Sequence, residues 1–201
     1  TSSVPNEGKS SISLSLSRTL AESGKKILMV DADLRKSVMA ARYHIQGIDK
    51  GLSHYLTGQA EVEDIIYETE VEGLCITVAG PLSPDPTSIL DSEQFEQFIE
   101  KVRDMFDYVI IDTPPAGIIG DAQIFAHCAD AVMIVSKQNY MLAEDINEVM
   151  DAFRDKEGKV LGVVLNGVRS FSGLVDSPVG HYYGKYSKYG RYGNYGRSKG
   201  M

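Results

Sequence analysis

The amino-acid sequence predicts an α/β fold, with a mostly parallel sheet covered by helices on both faces. Short apolar runs without polar alternation recur along the chain, as expected of strands that are buried on both sides. Segments with helical periodicity or helix boundary signals separate these runs, which is typical of parallel strands joined by crossover helices. We therefore expect a functional site at the carboxyl ends of the strands, where such sheets bind their ligands.

The first half of the chain contains two of the predicted strands. An initial loop leads into a helix that stops at Gly24, a residue that suits a helix C-terminus. Ile27–Val30 is the first apolar run, and Leu74–Val78 is the second. Glycines between them indicate short helices and turns from residue 35 to about 67. Three prolines prevent regular backbone hydrogen bonding across Gly80–Pro86, which is therefore predicted to be a loop.

The second half contains the clearest amphipathic helix, with a predicted cap at Ser92. Apolar residues follow at spacings of three and four, the pattern of a helix with one face in the core. They are Phe95, Phe98, Ile99, Val102, Met105 and Phe106. Three more apolar runs predict strands at Tyr108–Ile111, Ala131–Val135 and Val160–Leu165, separated by helices around 121–128 and 143–156.

Composition indicates one folded domain followed by a tail. The chain has 201 residues, 43% of them hydrophobic, which is enough for one sizeable core and predicts a domain at residues 1–170. Glycine, serine and tyrosine dominate residues 171–201, so we predict a disordered tail there. The net charge is −8, and the segment from Ser177 onward has five basic residues and no acidic one, which leaves −13 on the rest. An acidic body argues against nucleic acid as the main partner.

The cysteines and histidines suggest no special site. The two cysteines are far apart and the four histidines are scattered, so neither a zinc site nor a disulfide framework is predicted. Two reduced thiols fit the cytosol.

The clearest functional signal is a phosphate-binding loop at the start of the chain. Ser3–Ser11 reads Ser-Val-Pro-Asn-Glu-Gly-Lys-Ser-Ser and runs directly into the first helix. Backbone N–H groups at a helix start can bind a triphosphate, the lysine can reach its outer phosphates, and the next serine can ligate Mg²⁺. The residues predicted to bind the nucleotide here are Asn6, Glu7, Gly8, Lys9, Ser10 and Ser11. Such loops follow a buried strand, so we expect the first strand of the domain upstream of Thr1.

Carboxylates follow two of the predicted strands. Asp31 and Asp33 come at the end of the first strand, and Asp112 ends the third. Mg²⁺ in phosphoryl transfer commonly takes one or two carboxylates together with phosphate oxygens, and Ser10 and Asp112 suit that role. Each aspartate taken alone is as well explained as a helix cap or a turn residue. The combination with the loop favours a magnesium nucleotide site.

The end of the chain carries a tyrosine cluster. Six of the eleven tyrosines lie in the final twenty residues, namely Tyr182, Tyr183, Tyr186, Tyr189, Tyr192 and Tyr195. A nucleotide site at one end and phosphorylatable hydroxyls in a flexible tail at the other suggest a kinase that modifies its own tail. An adhesive or partner-binding low-complexity segment is the alternative.

These motifs together resemble the bacterial tyrosine kinases of capsule and exopolysaccharide synthesis. In that family a Walker A loop, an Asp-x-Asp motif called Walker A′, a Walker B motif and a C-terminal tyrosine cluster follow in this order. The matching segments are Ser3–Ser10, Val30–Arg35, Val109–Asp112 and Tyr182–Tyr195, so that the resemblance covers essentially the whole chain. It implies a P-loop NTPase fold of the MinD and ParA type.

The resemblance also implies a role for each acid and for the lysine. Lys9 would hold the phosphates of ATP, and Asp112 would organise the Mg²⁺ shell with Ser10. Asp31 would lie near both the metal and the acceptor and help to deprotonate the tyrosine hydroxyl, with Asp33 in support. It thus joins Ser10 and Asp112 as an expected metal residue.

Three other polar residues each have two interpretations. Asn166 is a candidate reader of the adenine edge, or it turns the chain together with Gly167. Arg35 contacts phosphates or a neighbour, or forms a solvated salt bridge. Asp121 opens a predicted helix near the site, where a plain N-cap is the expected role.

The chain departs from the family pattern in a few places. Asn6 stands where glycine is usual, although asparagine tolerates positive φ better than most residues. Asp85 stands where asparagine is common in the proline-rich loop. Glu100 and Arg103 have the spacing of the family's Glu-x-x-Arg-x-x-Arg oligomerisation motif, but Phe106 replaces the final arginine.

The resemblance further implies partners and a location. It predicts a membrane-anchored activator of the polysaccharide co-polymerase type, fused or separate, and a cognate tyrosine phosphatase. It also predicts a homo-oligomer with tail phosphorylation between subunits, in the cytoplasm at the inner face of the bacterial membrane.

Two other functional classes are possible on the sequence. A MinD- or ParA-type partitioning ATPase would carry a signature lysine five positions before the phosphate lysine, where this chain has Val4. A non-catalytic interaction protein would not need the intact Lys9, Asp31, Asp33 and Asp112.

Overall fold

The computed structural model describes residues 1–37, 39, 48–81, 83, 85–117, 124–156 and 158–168. Its helices are α1 (Lys9–Glu22), α2 (Leu52–Leu56), α3 (Pro86–Leu90), α4 (Glu93–Met105) and α5 (Ala143–Arg154), with a short 3₁₀ helix at Val62–Ile65. Its strands are β1 (Ile27–Asp31), β2 (Tyr67–Glu68), β3 (Leu74–Thr77), β4 (Tyr108–Asp112), β5 (Val132–Lys137) and β6 (Val160–Asn166). Thr1–Asn166 form one compact unit, and Gly167–Met201 form a second, of which only residues 167–168 are described.

The strands form a mostly parallel sheet system, as predicted. Four of them lie in the order β2-β3-β1-β4, and β5 pairs with β6. All pairs are parallel except β2 with β3, which is antiparallel. The sequence analysis did not predict β2, because a strand of two residues is too short to show a periodicity.

The first three residues connect the loop region to the sheet. The backbone N–H of Val135 in β5 donates to the carbonyl oxygen of Thr1 at 2.8 Å, and that of Ala116 donates to the carbonyl oxygen of Ser2 at 2.8 Å. Ser2 also forms an isolated parallel bridge with Val135. Next to Thr1, a cavity of about 730 Å³ is lined by residues of α1, β4 and β5. The phosphate-binding loop therefore starts from a segment held between the end of β4 and β5.

The core explains why β1 shows no polar alternation. All five residues of β1 are buried, and its side chains point alternately to two faces. Leu28 and Val30 pack in one cluster, together with residues of α4. Ile27 and Met29 pack in the other cluster, with Ala21 of α1. Both faces of the strand are thus apolar environments, which is the pattern of a central parallel strand.

Helix α4 confirms the predicted stripe in part. Phe95, Phe98, Ile99 and Val102 are buried, but Met105 is 43% exposed at the last turn, and Phe106 lies beyond the helix end. Ser92 occupies the N-cap position with extended backbone, yet its side chain makes no capping bond. Its hydroxyl instead donates to the carbonyl oxygen of Ile89 at 2.6 Å.

Several predicted features lie outside the described residues. They are residues 121–123, which include Asp121 and begin the helix predicted around 121–128, and the tail from residue 171 with its six tyrosines. Within the part of the chain that the structure describes, no helix is long and apolar enough to cross a membrane.

Candidate active site

The loop between Ser3 and α1 has the backbone conformation of an anion-binding turn. Gly8, the N-cap of α1, has φ of 96°, and Asn6 has φ of 68°. Both values lie in the left-handed region, so the asparagine at position 6 adopts a conformation that glycine adopts more easily. The first turn of α1 contains no acidic residue, and no side chain caps it. The N-terminus of α1 is therefore suited to bind phosphate.

Gly8 also lies close to Asn166. A Cβ at position 8 would lie well inside van der Waals contact of Asn166 Nδ2, so this amide would have to shift. The Asn166 amide donates from Nδ2 to the carbonyl oxygen of Glu7 at 2.8 Å. Asn166 thus lies against the phosphate-binding loop at the end of β6, and its predicted contact with adenine stays a prediction.

The two strand-end aspartates meet where the sequence predicted. Asp31 of β1 and Asp112 of β4 are direct neighbours in the parallel register, and each is 2% exposed. The Ser10 hydroxyl is close enough to the Asp112 carboxylate to lower its pKa, and the Lys9 ammonium donates to Ser10 Oγ at 3.4 Å. Lysine, serine and both acids therefore share one small region at the carboxyl ends of the strands.

Burial raises the affinity of both acids for protons. Desolvation raises the pKa of Asp31 from 3.8 to about 6, although the Ser37 hydroxyl and the Asp33 backbone N–H oppose this rise. Desolvation also raises the pKa of Asp112, although the charge of Lys9 and the nearby Ser10 hydroxyl oppose this rise. A divalent cation placed between these groups would favour their ionised forms, because opposite charges stabilise a buried carboxylate.

Asp31 is held in place by its own loop. Its Oδ2 accepts a hydrogen bond from Ser37 Oγ at 2.6 Å, and its Oδ1 accepts one from the Asp33 backbone N–H at 3.1 Å. Asp33 in turn accepts from the backbone N–H groups of Arg35 and Lys36 at 3.3 and 2.9 Å. The second acid thus shapes the turn that carries the first, and its supporting role in catalysis stays a prediction.

The proline-rich segment reaches the same site through Arg35. The Arg35 guanidinium donates to Thr87 Oγ1 at 2.7 Å. This bond connects the loop after β1 to α3. Asp85 is the N-cap of α3, and its Oδ1 accepts from the Ser88 backbone N–H at 3.2 Å. The departure from the family pattern at position 85 therefore has a local structural role, since aspartate caps a helix as well as asparagine does.

The phosphate-binding loop and the acids line a cavity of about 450 Å³. It is lined by the phosphate-binding loop with Lys9 and Ser10, by the acids Asp31, Asp33 and Asp112, and by Arg35, Lys36, Met39 and Pro115. The buried Oδ1 of Asp112 has no hydrogen-bond partner among the described residues, so it is available to a ligand.

The donor set fits Mg²⁺ that arrives with a nucleotide. Within the described ranges, no group of three or more histidine, cysteine or acidic side chains is arranged to hold a metal by itself. A serine hydroxyl and a free carboxylate oxygen supply only part of an octahedral shell, and phosphate oxygens and water would complete it. Ser10 and Asp112 are the residues placed to contribute, and the metal contact predicted for Asp31 stays a prediction.

Sequence comparison identifies the family. Residues 6–159 match the AAA domain family. Tyrosine-protein kinase CpsD of Streptococcus agalactiae serotype III (strain NEM316) is 39% identical over 168 residues, which are 84% of this chain and 72% of that protein. The chain belongs to the bacterial tyrosine kinases. It is the catalytic domain of such an enzyme. The match confirms the family and the enzyme class that the motifs predicted.

Structural comparison supports the same assignment. The crystal structure of the VpsO kinase domain superposes on this kinase domain with a TM-score of 0.79 and 33% identity, covering 84% of this chain and 83% of that one. MinD of Pyrococcus horikoshii, solved with Mg-ADP, has a TM-score of 0.70 at 24% identity and covers 82% of this chain and 67% of its own. That likeness shows the fold alone, and it confirms the predicted MinD-type P-loop architecture.

Two contributions to the site had no signal in the sequence. The Ser37 hydroxyl contacts Asp31, and Thr87 receives Arg35 from a distant segment. The first contact depends on how the loop after β1 folds back, and the second on how two separate segments meet. Serine or threonine in a loop is too common to stand out.

Proposed function

We propose that this kinase domain transfers the γ-phosphoryl group of MgATP to tyrosines of its own C-terminal tail, and that this modification regulates capsular or exopolysaccharide synthesis and export. The main support is the meeting of Lys9, Ser10, Asp31 and Asp112 on one cavity at the carboxyl ends of the strands. The six clustered tyrosines supply an acceptor within the same chain.

Each side chain has a distinct task in the proposed transfer. Lys9 and the N-terminus of α1 neutralise the charge that builds up on the phosphoryl oxygens, and electrostatic stabilisation of this kind commonly contributes more to catalysis than any other effect. Ser10 and Asp112 would hold Mg²⁺, which when bound would neutralise the phosphates and align them. As the tyrosine oxygen forms its bond to phosphorus and the bond to ADP breaks, the hydroxyl proton passes to the Asp31 carboxylate. A phenol with a pKa near ~10 is protonated at neutral pH, so a positioned base accelerates the step.

Charge favours the tail as substrate. The segment from Ser177 carries +5, whereas the rest of the chain carries −13. At physiological salt such opposite charges attract within about 8 Å. Each phosphate adds about −1.5 to −2, so the six tyrosines would accept roughly −9 to −12 and reverse the sign of the tail. Phosphorylation thus converts attraction into repulsion.

The first test removes the acceptor. Labelled ATP is incubated with the full chain and with a form truncated after Ser170. We expect the truncated form to take up less than about a tenth of the label per chain, because all six clustered tyrosines are gone, while its MgADP affinity stays unchanged. Equal labelling of both forms would refute the tail as the main acceptor.

Mixing the two forms then tests transfer between subunits. The truncated kinase is combined with full-length Lys9→Ala protein, which keeps the tail but lacks the phosphate lysine. Label on the Lys9→Ala chain would support transfer between molecules. Label on neither chain, when the wild type labels itself, would restrict the reaction to a single subunit and contradict the proposed exchange.

Phosphorylation is also expected to loosen any oligomer in which one subunit's tail occupies its neighbour's site. We expect the mass measured by light scattering to fall after incubation with MgATP and to stay constant with MgADP. A chain in which all six clustered tyrosines are replaced by phenylalanine is the control, and its mass should not respond to ATP. An unchanged mass of the phosphorylated wild type would refute the loosening.

The remaining parts of the proposal concern the cell. A membrane-anchored activator would bring the domain to the inner face of the membrane, and a cognate phosphatase would reset the tail. These partners follow from the resemblance to the capsule kinases. Copurification of the chain with a membrane protein encoded beside polysaccharide genes would support them.

A further inference from the structure

Glu7 lies in the phosphate-binding loop, but its side chain is completely buried. Its Oε2 accepts a hydrogen bond from the Val4 backbone N–H at 2.9 Å. Its Oε1 accepts one from the Lys137 backbone N–H at 3.2 Å, across 130 positions of sequence. Removing a carboxylate from water is costly, so a buried one persists only where such donors compensate for lost hydration. The Glu7 carboxylate therefore points into the protein, and only its backbone can face a phosphate.

Glu7 also joins the loop to the last strand. Its carbonyl oxygen accepts from Nδ2 of Asn166 at 2.8 Å. The Gln138 backbone N–H donates to the carbonyl oxygen of Asn166 at 2.9 Å and so joins the ends of β5 and β6. One residue of the loop is thus bonded to two strand ends, through its side chain to β5 and through its main chain to β6.

We infer that Glu7 is a positioning residue, which shapes the phosphate-binding loop and couples it to the ends of β5 and β6. This inference rests on the proposed nucleotide site. Because the Val4 N–H is already bonded to Glu7, phosphate must be bound by later N–H groups of the loop and by Lys9. A loop that is held in this shape before the nucleotide arrives loses less entropy on binding.

The two facing donors explain why a carboxylate is needed. Both Val4 and Lys137 present an N–H group, and an ionised carboxylate offers an acceptor to each. A glutamine of the same size offers one acceptor and one NH₂ group, which would face an N–H donor. Glu7→Gln therefore keeps the volume but loses one of the two bonds.

The variant Glu7→Gln provides the test, with Glu22→Gln as the matched control on the exposed end of α1. We expect Glu7→Gln to weaken MgADP binding at least about tenfold, because a hydrogen bond to a charged group is lost. Its Tm should exceed the assay temperature, so that the loss reflects binding and not unfolding. Glu22→Gln should bind as the wild type does. Wild-type affinity in Glu7→Gln would overturn the inference.

Amide hydrogen exchange separates positioning from a purely structural role. In the nucleotide-free wild type, the Val4 and Lys137 amides should already be protected, and at least one should exchange faster in Glu7→Gln. Should that variant not fold, the wild type still decides, because rapid exchange at both amides without nucleotide would refute the bonds. The tail-labelling experiments are independent of this result. A kinase that binds MgADP but labels no tyrosine would refute the proposed acceptor and leave the role of Glu7 supported.

Discussion

Replacing Lys9 by alanine is expected to reduce tyrosine phosphorylation by at least about 100-fold. The Lys9 ammonium lies at the start of α1, beside Ser10 and across the cavity from Asp112. Lys9 is the cationic residue of the loop Ser3–Ser11. Without it, the charge on the transferred phosphoryl group has no equivalent partner in the loop. The measurement is the initial rate of label transfer from ATP at saturating Mg²⁺.

Lys25→Ala is the matched control for this variant. Lys25 is exposed just beyond α1, so its removal changes the net charge equally without touching the cavity. It should label at the wild-type rate. Both variants should keep the wild-type circular dichroism spectrum, since neither side chain belongs to the core. Strong labelling of Lys9→Ala would contradict the assignment of the phosphate site.

The substitution Asp31→Asn is expected to change activity and stability in opposite directions. Loss of the base should slow tyrosine phosphorylation by about 10²- to 10⁴-fold, the usual range for general base catalysis. The same change should stabilise the metal-free protein at pH 7, because the wild type must keep a carboxylate ionised where burial opposes its charge. A residue that costs stability and supports activity is typical of a functional site.

The pH dependence gives the sign of the stability effect. Burial raises the pKa of Asp31 to about 6 in the folded protein from an ordinary value of 3.8. The folded state therefore binds this proton more tightly than the unfolded state does. Ionising Asp31 therefore destabilises the folded protein. This destabilisation is absent below about pH 4, grows between about pH 4 and 6, and is complete above pH 6. Raising this pKa from 3.8 to about 6 corresponds to a destabilisation of about 3 kcal/mol at most.

The free energy of unfolding that Asp31→Asn is expected to gain is smaller than this limit. Asparagine retains one acceptor for Ser37 and Asp33, which both donate to Asp31, so part of the hydrogen bonding is lost. We expect Asp31→Asn to raise the free energy of unfolding by about 1–3 kcal/mol at pH 7.5, and to give little change at pH 4. Urea unfolding in EDTA at both pH values measures it. Asp104→Asn, at an exposed site on α4, is the control.

The outcome that would contradict this prediction is clear. A metal-free Asp31→Asn protein that is less stable than the wild type at pH 7.5 would show that the carboxylate is stabilised by its surroundings. Adding MgADP should narrow the difference in the free energy of unfolding between the two proteins, since a bound cation stabilises the ionised Asp31 of the wild type. A difference that does not respond to MgADP would argue against Asp31 lying beside the metal.

Most of the fold could be predicted because its signals are local. Five apolar runs became strands. β1 is buried on both faces, as its lack of polar alternation predicted, but alternate residues of β6 are exposed despite their apolar side chains. The stripe of α4 was visible because a helix repeats every 3.6 residues. β2 and the short helix at Pro86–Leu90 were not predicted, because two to five residues show no periodicity. Ser92 occupies the predicted N-cap position, but its hydroxyl bonds the nearby Ile89 carbonyl oxygen and makes no capping bond.

The site was predictable to the extent that its parts lie at strand ends or in one continuous loop. Asp31 and Asp112 are separated by 81 positions, yet a parallel sheet must bring the carboxyl ends of neighbouring strands together. Nothing comparable could reveal the role of Glu7. Its second donor is a backbone N–H at Lys137, and every non-proline residue carries such a group.

The sequence by itself determined that this chain is a bacterial tyrosine kinase domain, which residues form the phosphate-binding loop, and which acids stand at the strand ends. It could do so because these features are written in residue type and spacing. Only the tertiary structure decided which acid has an unpaired oxygen, how far burial raises the pKa of Asp31, and that Glu7 turns inward to β5. Desolvation and long-range hydrogen bonds depend on the three-dimensional surroundings of a group, and those surroundings exist only once the chain has folded.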